Sequence, residues 1–285
     1  MPAGSPDRRS PLVFAHRGSS AAVAEHTLGA YLRAIDEGAD GLECDVRLTR
    51  DGHLVCLHDR RINRTSDGRG LVSSRTLAEL DRLDFGSWHP GLPETADDLI
   101  VDRTEPGDGS GERNVRSRVL TFDRLLDAAL AAGRSIEVLV ETKHPSRYGG
   151  AVEEALVVAL RRYGLATPEP DQPVRVTVMS FSPLAVRRIR RLAPQVPTVL
   201  LLEFLPPGLR AGLLPFGTPI GGPGIRLVRA HPEVAVRLRE RGYPVYVWTV
   251  NEPADLDLVL SLQVEGIISD RPGFVVSRLR ELGLR

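Results

Sequence analysis

The chain has 285 residues, and its 37 basic and 37 acidic side chains cancel to a formal net charge of zero. An apolar fraction of 42% and a charged fraction of 26% are ordinary for a globular domain and exclude disordered, collagen-like and coiled-coil chains. Because a neutral protein lacks the long-range field that gathers polyanions, we expect no nucleic-acid partner. Any anionic ligand must therefore be bound by a local cluster of positive charges.

The N-terminal residues 1–11 are rich in Pro, Ser and charge and lack the apolar stretch of a signal peptide. They predict a flexible leader ahead of a single domain over residues 12–285. No run approaches the ~18 consecutive apolar residues of a transmembrane helix, so we expect a cytoplasmic protein. Cys44 and Cys56 are too few for a disulfide framework, and we expect both to be buried free thiols.

From Leu12 onward, short apolar runs alternate with amphipathic helical patterns. The predicted strands are 12–15, 41–48, 136–142, 174–180, 197–202, 224–228, 244–250 and 265–270. Helical patterns, several closed by a glycine that suits a helix end, cover 27–38, 122–133, 151–164, 183–193, 232–242 and 252–263. Eight such units predict an α/β protein with a closed (β/α)8 TIM barrel. An open doubly wound sheet fits less well, because no G-x-G-x-x-G follows a strand.

One connection is far longer than the usual length of about two to six residues for a βα loop. It forms an insertion, residues 60–120, between the second strand and the second helix. Its first part, through Trp88, has its own apolar pattern and predicts a small ordered excursion, whereas the polar part 93–118 predicts a mobile loop. Long βα loops lie on the catalytic face of a barrel, so we expect the insertion to select the substrate; a decorative insertion is the alternative.

Carboxylates occur at the ends of two predicted strands. Glu43 and Asp45 alternate along the second strand and therefore point to one face, and Glu141 lies at the end of the third. Carboxylates that face into a barrel are costly to bury unless positive charge compensates them. Their oxygens suit a hard cation, Mg²⁺ or Ca²⁺, better than zinc. We therefore predict a site for one divalent cation at this mouth of the barrel.

Basic side chains accompany these carboxylates. His16 and Arg17 end the first strand, His58 ends the run after the second, and Lys143 shares a strand face with Glu141. The histidines suit general acid and base catalysis, and the two cations suit an anionic group. Lys143 is the only lysine among the 37 basic residues, which indicates that a compact ammonium is needed there. The whole set fits phosphodiester cleavage.

Seven motifs resemble those of the glycerophosphodiester phosphodiesterases, in order and over nearly the whole chain. They are F-A-H-R-G at 14–18, E-x-D at 43–45, D-G-H-L-V-C-L-H-D at 51–59, N-R-T-S-D-G-R-G at 63–70, E-T-K at 141–143, V-W-T-V-N at 247–251 and G-I-I-S-D-R-P at 266–272. The resemblance implies a phosphodiesterase barrel whose insertion helps to enclose the glycerol part of the substrate. It also implies site roles: Mg²⁺ or Ca²⁺ on Glu43, Asp45 and Glu141, acid and base catalysis by His16 and His58, and phosphate contacts from Arg17 and Lys143.

The chain departs from the family pattern where relatives usually read P-E-N-T and this chain reads A-E-H-T. His26 there replaces an amide with a titratable ring.

Trp248, on the same strand face as Tyr246, could contact glycerol carbons or a choline cation, although Tyr246 fits a core position equally well. Further candidates for contacts behind the catalytic groups are Glu25, His26, His144 and Asp270.

The resulting hypothesis is metal-dependent hydrolysis of small glycerophosphodiesters, such as glycerophosphocholine or glycerophosphoethanolamine, to glycerol 3-phosphate and an alcohol. A lysophospholipase D-type enzyme or a lyase on the same scaffold is one alternative, but the polar 93–118 segment argues against membrane contact. A non-catalytic phosphodiester-binding module is another, although that module would lack one of the catalytic groups. The division of acid and base roles, direct attack by water or a cyclic phosphate, and the oligomeric state stay open.

Overall fold

The computed structural model describes residues 10–86, 117–205 and 212–285. The predicted leader up to residue 9 lies outside the described residues. Residues 93–116 of the predicted mobile loop, together with Trp88, also lie outside them. In the described part of the chain, no helix is long and apolar enough to cross a membrane.

Eight parallel strands form the barrel. Around it they run in the order β7, β6, β5, β4, β2, β1, β9, β8, and β3 pairs antiparallel with β2 outside this path. Two isolated parallel bridges, Gly221 with Val245 and Gly224 with Trp248, link the β7 and β8 regions and nearly close the sheet. The predicted (β/α)8 barrel is thereby confirmed. The strands are β1 Leu12–His16, β2 Gly41–Leu48, β3 Leu54–Cys56, β4 Ile136–Thr142, β5 Val174–Ser180, β6 Thr198–Leu202, β7 Ile220–Pro223, β8 Tyr246–Val247 and β9 Gly266–Ser269.

Helices cover the outside of the barrel, and the six predicted helical segments are all helical. Thr27 accepts a hydrogen bond from the Ala30 amide and so caps the first helix. Thr76 and Glu79 form a reciprocal capping box on a short helix between β3 and the next long helix. The helices are α1 Leu28–Asp36, α2 Leu77–Leu80, α3 Phe122–Leu130, α4 Ala151–Arg162, α5 Pro183–Leu192, α6 Ile225–Ala230, α7 Glu233–Glu240, α8 Pro253–Ser261 and α9 Pro272–Glu281.

The strand predicted at 224–228 is wrong. The seventh strand lies just before it, at Ile220–Pro223, and residues 225–230 form helix α6. After Ile220 the strand continues with two glycines, and the barrel leaves no room for a side chain at Gly222. A Cβ at Gly222 would meet the Val199 side chain at 2.7 Å, so glycine is required by close packing rather than by a turn.

Side chains alternate along the strands and divide the core into an outer and an inner part. Leu42, Cys44 and Val46 of β2 pack outward in a large cluster under the helices, and both free cysteines, Cys44 and Cys56, are buried as predicted. The barrel interior is a separate apolar cluster of Phe14, Leu139, Met179, Val199, Leu201, Ile220, Tyr246 and Ile268. Polar residues of β1, β2 and β4 lie beyond this cluster at the C-terminal ends of the strands, where the site is built.

The described residues between β3 and α3 have a small core of their own. Ile62, Val72, Leu80 and Phe85 pack with Val55, Leu57 and Val119. The Phe85 amide donates to the Ser117 carbonyl at 2.7 Å, which joins the two ends of this segment. The cluster holds residues 58–66 against the C-terminal mouth of the barrel, and this region includes His58.

Candidate active site

Three carboxylates converge at the mouth of the barrel. Glu43, Asp45 and Glu141 are all buried, and one oxygen from each lies within 4.8 Å of the others. Burial, reinforced by the charge of Asp45, raises the pKa of Glu43 to about 8. Burial also raises the pKa of Glu141 to about 7, although Lys143 beside it acts in the opposite direction. This buried, oxygen-only donor set fits a hard divalent cation.

Two cations flank the carboxylates. The Lys143 Nζ lies 2.9 Å from Glu141 Oε1 and 3.3 Å from Asp45 Oδ1. The Arg17 Nε lies 3.3 Å from Asp45 Oδ2, and the Arg17 amide donates to Glu43 Oε2 at 3.0 Å. Arg17 has a left-handed backbone with φ of 58°, which aims both its amide and its side chain at the cluster. Both cations line the cavity in front of the carboxylates and can therefore reach an anionic ligand there.

His16 lies on the same rim and is held by Asp270. Its Nδ1 lies 2.6 Å from Asp270 Oδ1, which also accepts from the Ser20 hydroxyl at 2.9 Å. The Asn251 amide donates to the other Asp270 oxygen at 2.5 Å. Burial and Arg17 lower the pKa of His16, but the charge and hydrogen bond of Asp270 outweigh them and raise it to about 9. The imidazole is thus fixed in orientation and carries a proton when no cation is bound.

His58 faces the same cavity from the segment after β3. Its Nδ1 lies 2.7 Å from Asp59 Oδ1, and its carbonyl accepts two hydrogen bonds from the Arg47 guanidinium, at 2.9 and 2.6 Å. Each of the two histidines is therefore paired through Nδ1 with a carboxylate. In this geometry the carboxylate orients the ring and stabilises its protonated form.

Arg64 connects this histidine to the other side of the site. Its guanidinium donates to both oxygens of Asp59, at 2.7 and 3.0 Å, and to both oxygens of Glu25, at 2.6 and 2.7 Å. Arg17 Nη1 lies 3.3 Å from Glu25 Oε1. A continuous buried chain of alternating charges thus runs from His58 through Arg64 to Arg17, which itself contacts the carboxylate cluster.

His26 contacts the carboxylate cluster directly. Its Nε2 lies 2.9 Å from Asp45 Oδ2, and its Nδ1 lies 2.8 Å from the Tyr31 hydroxyl. Burial lowers the pKa of His26, although the hydrogen bond and the charge of Asp45 act in the opposite direction. The Tyr31 hydroxyl in turn donates to the Glu43 carbonyl at 3.0 Å, which links His26 to a second residue of the carboxylate cluster. His26 thus orients Asp45 much as a side-chain amide could.

Two of the three carboxylates, Glu43 and Glu141, line one side of a cavity of about 520 Å³ together with the two cations and the two histidines. The other side carries Phe181, Glu203, Arg226 and Trp248. The Phe181 and Trp248 rings meet edge to face at 5.3 Å, and Trp248 Nε1 donates to the Gly222 carbonyl at 2.8 Å. Tyr246, the other aromatic residue on the Trp248 strand face, packs inside the barrel instead.

Of the twelve predicted site residues, the structure brings eleven, all except His144, to this cavity or into contact with its lining. His144 points away from the cluster: its Nε2 bonds to the buried Glu153 at 2.6 Å, and it is not among the described residues that line the cavity. Sequence reasoning missed Asp59, Arg64 and Asn251 as individual residues, although all three lie in the motifs quoted above. It also missed Glu203 and Arg226, for which the sequence contains no motif signal.

The chain is similar to several known proteins in sequence and in fold. Residues 16–274 match the Glycerophosphoryl diester phosphodiesterase family. A Mycobacterium tuberculosis (strain H37Rv) protein named "Probable glycerophosphodiester phosphodiesterase 1" is 44% identical over 92% of this chain and 90% of its own length. The "Glycerophosphodiester phosphodiesterase" of Bacillus subtilis (strain 168) is 33% identical over 94% and 85%. The fold is similar to that of an Oleispira antarctica phosphodiesterase solved in complex with the product sn-glycerol-3-phosphate, with a TM-score of 0.74, 22% identity and coverage of 95% and 97%.

Proposed function

Because the chain belongs to the Glycerophosphoryl diester phosphodiesterase family, we propose that it hydrolyses glycerophosphodiesters with one divalent cation and two histidines. The enzyme class, a glycerophosphodiester phosphodiesterase, follows from its relatives. The products are glycerol 3-phosphate, which is the ligand of the Oleispira antarctica enzyme, and a free alcohol. Glycerophosphocholine and glycerophosphoethanolamine are the first substrates to examine.

One observation carries the catalytic part of the proposal. Three buried carboxylates have oxygens within 4.8 Å of one another, and two of them, Glu43 and Glu141, line the same cavity as two carboxylate-paired histidines. In this proposal Glu43, Asp45 and Glu141 hold Mg²⁺ or Ca²⁺. Such an ion supplies charge neutralisation at the phosphoryl oxygens when it is bound. The site has the hard oxygen donors that either ion requires.

The chain's own residues provide the remaining steps. Arg17 and Lys143 bind the phosphate from the two flanks of the carboxylate cluster and offset the charge that grows on its oxygens. One histidine accepts the proton of the attacking group, which is either water or the glycerol hydroxyl. The other histidine donates a proton to the leaving alkoxide. Asp270 and Asp59 hold the two rings through Nδ1, so that Nε2 is the atom that exchanges protons in each.

The test is release of glycerol 3-phosphate from the two substrates by protein stripped of metal and then supplied with Mg²⁺ or Ca²⁺. We expect no turnover in excess chelator and recovery on addition of one of the ions. His16→Ala and His58→Ala should each lower kcat by about 10²–10⁴. His53→Ala is the matched control, since His53 lies exposed on the turn before β3. Full activity in chelator would contradict the metal assignment, and wild-type turnover by either active-site variant would contradict the histidine roles.

A further inference from the structure

The cavity has a second wall that the catalytic proposal leaves unused. The metal-binding and phosphate-binding groups come from β1, β2 and β4, whereas the opposite wall follows β5 to β8. That wall combines an aromatic corner, Phe181 and Trp248, with one acidic and one basic side chain, Glu203 and Arg226. The alcohol or the glycerol part of a bound diester must extend toward this wall, because the phosphate is held on the other.

Glu203 and Arg226 stand on neighbouring strand ends. Leu202 pairs in register with Pro223, and the Gly224 amide donates to the Leu202 carbonyl at 2.8 Å. Glu203 follows directly on one side of this bond, and Arg226 follows two residues later on the other. Both side chains line the catalytic cavity and also an adjoining hollow of about 560 Å³. The two exposed residues thus stand on adjacent edges of one opening.

These two opposite charges do not pair with each other. Within the described ranges, neither Glu203 nor Arg226 forms an ion pair or a side-chain hydrogen bond, whereas Glu25, Asp59 and Arg64 in the same mouth form several. A carboxylate accepts from an ammonium, and a guanidinium donates in parallel to a carboxylate. An opening that presents an unpaired carboxylate and an unpaired guanidinium matches a ligand that carries one positive and one negative charge.

We propose that Glu203 and Arg226 form a zwitterion subsite that binds the ammonium and the carboxylate of an amino-acid alcohol, as in glycerophosphoserine. The proposal rests on the proposed function and adds the class of leaving alcohol. The aromatic corner packs against the methylene that joins the phosphate to this head group. Phe181 is not suited to a quaternary ammonium, because the Lys143 Nζ already lies 5.9 Å from its ring centre.

The other common head groups can pair with at most one of the two charged side chains of the subsite. Ethanolamine and choline carry an ammonium for Glu203 but bring a second positive charge near Arg226. Glycerol carries no charge and pairs with neither side chain. A charge-assisted hydrogen bond at a partly exposed site corresponds to about tenfold in affinity, so we expect kcat/KM for glycerophosphoserine to exceed that for glycerophosphoethanolamine by about tenfold.

The experiment compares kcat/KM for glycerophosphoserine, glycerophosphoethanolamine, glycerophosphocholine and glycerophosphoglycerol with the metal-loaded, full-length enzyme. Arg226→Gln should reduce the serine-to-ethanolamine ratio to about one. Glu203→Gln should reduce the ethanolamine-to-glycerophosphoglycerol ratio. Arg191→Gln and Glu240→Gln, at exposed positions on α5 and α7, are the matched controls and should keep all ratios at the wild-type value. Thermal unfolding checks that each variant is folded.

Two results overturn the subsite. One is a wild-type enzyme with no preference for glycerophosphoserine. The other is an Arg226→Gln or Glu203→Gln variant that changes all four substrates by the same factor, as expected if the two side chains only support the fold. Either result leaves the proposed function intact as long as some glycerophosphodiester is hydrolysed. Failure of the metal-loaded wild type to hydrolyse any of the four would instead overturn the proposed function, and the subsite with it.

Discussion

Arg64 is predicted to stabilise the fold and the active site at once, and Arg64→Met tests this. The substitution keeps most of the side-chain volume and removes four hydrogen bonds to Glu25 and Asp59, both buried. Removal of one partner from a buried ion pair costs about 3–5 kcal/mol, because a buried charge is left uncompensated. Arg17 and His58 still contact the two carboxylates, so we expect the lower end, about 3 kcal/mol. For a chain of this size that corresponds to a decrease in Tm of about 6–12 °C.

The same substitution has a pH signature. Burial acts to raise the pKa of Glu25, but Arg64 and Arg17 hold it well below its ordinary value of 4.5. A carboxyl group with a depressed pKa in the folded state stabilises the protein above its unfolded pKa and loses that contribution as the pH falls. The difference in free energy of unfolding between wild type and Arg64→Met should therefore have its largest value above about pH 4.5 and decrease as the pH falls below that. Chemical denaturation at a series of pH values measures this difference.

Activity provides a third measurement on Arg64. Because Asp59 orients His58 and is itself held by Arg64, we expect Arg64→Met to lower kcat more than it raises KM for a glycerophosphodiester. Arg64→Lys keeps the positive charge but lacks the planar guanidinium. We expect its kcat and its Tm to lie between those of the wild type and those of Arg64→Met. Arg278→Met, which removes an exposed pair with Glu281, is the control and should change stability by less than about 1 kcal/mol. Wild-type Tm and kcat in Arg64→Met would refute the reasoning.

Three further predictions concern single positions. Lys143→Arg should lower kcat/KM at least about tenfold, because the compact ammonium fits between Glu141 and Asp45, at 2.9 and 3.3 Å, and a guanidinium does not. His26→Asn should keep the cation affinity, measured by titration calorimetry, whereas His26→Ala should weaken it about tenfold or more, because Asp45 loses its hydrogen bond. Gly222→Ala should destabilise the barrel by about 1–3 kcal/mol in denaturant unfolding, since its Cβ would overlap the side chain of Val199. Full activity of Lys143→Arg, equal cation affinity of the two His26 variants, or wild-type stability of Gly222→Ala would each contradict its prediction.

The barrel and the inner set of site residues could be predicted because both depend on local pattern. Alternation along β2 alone places Glu43 and Asp45 on one face. The end of each apolar run marks the end of a strand, and the other inner site residues follow such ends. The seventh strand escaped prediction because its glycines meet a packing requirement set by β6, which no local pattern reveals. Arg64 escaped as well, since its partner Glu25 lies 39 residues away in the chain and only folding brings them together.

The position of the only lysine has a practical consequence for chemical modification. The Lys143 side chain is only 11% exposed and both of its carboxylate contacts lie inside the site. An acylating reagent that attacks lysine amines therefore has a single target in this sequence, and that lysine lines the catalytic cavity. The extent of acylation at Lys143, followed by peptide mass spectrometry, thus reports directly on ligand occupancy of the cavity, with no background from other lysines.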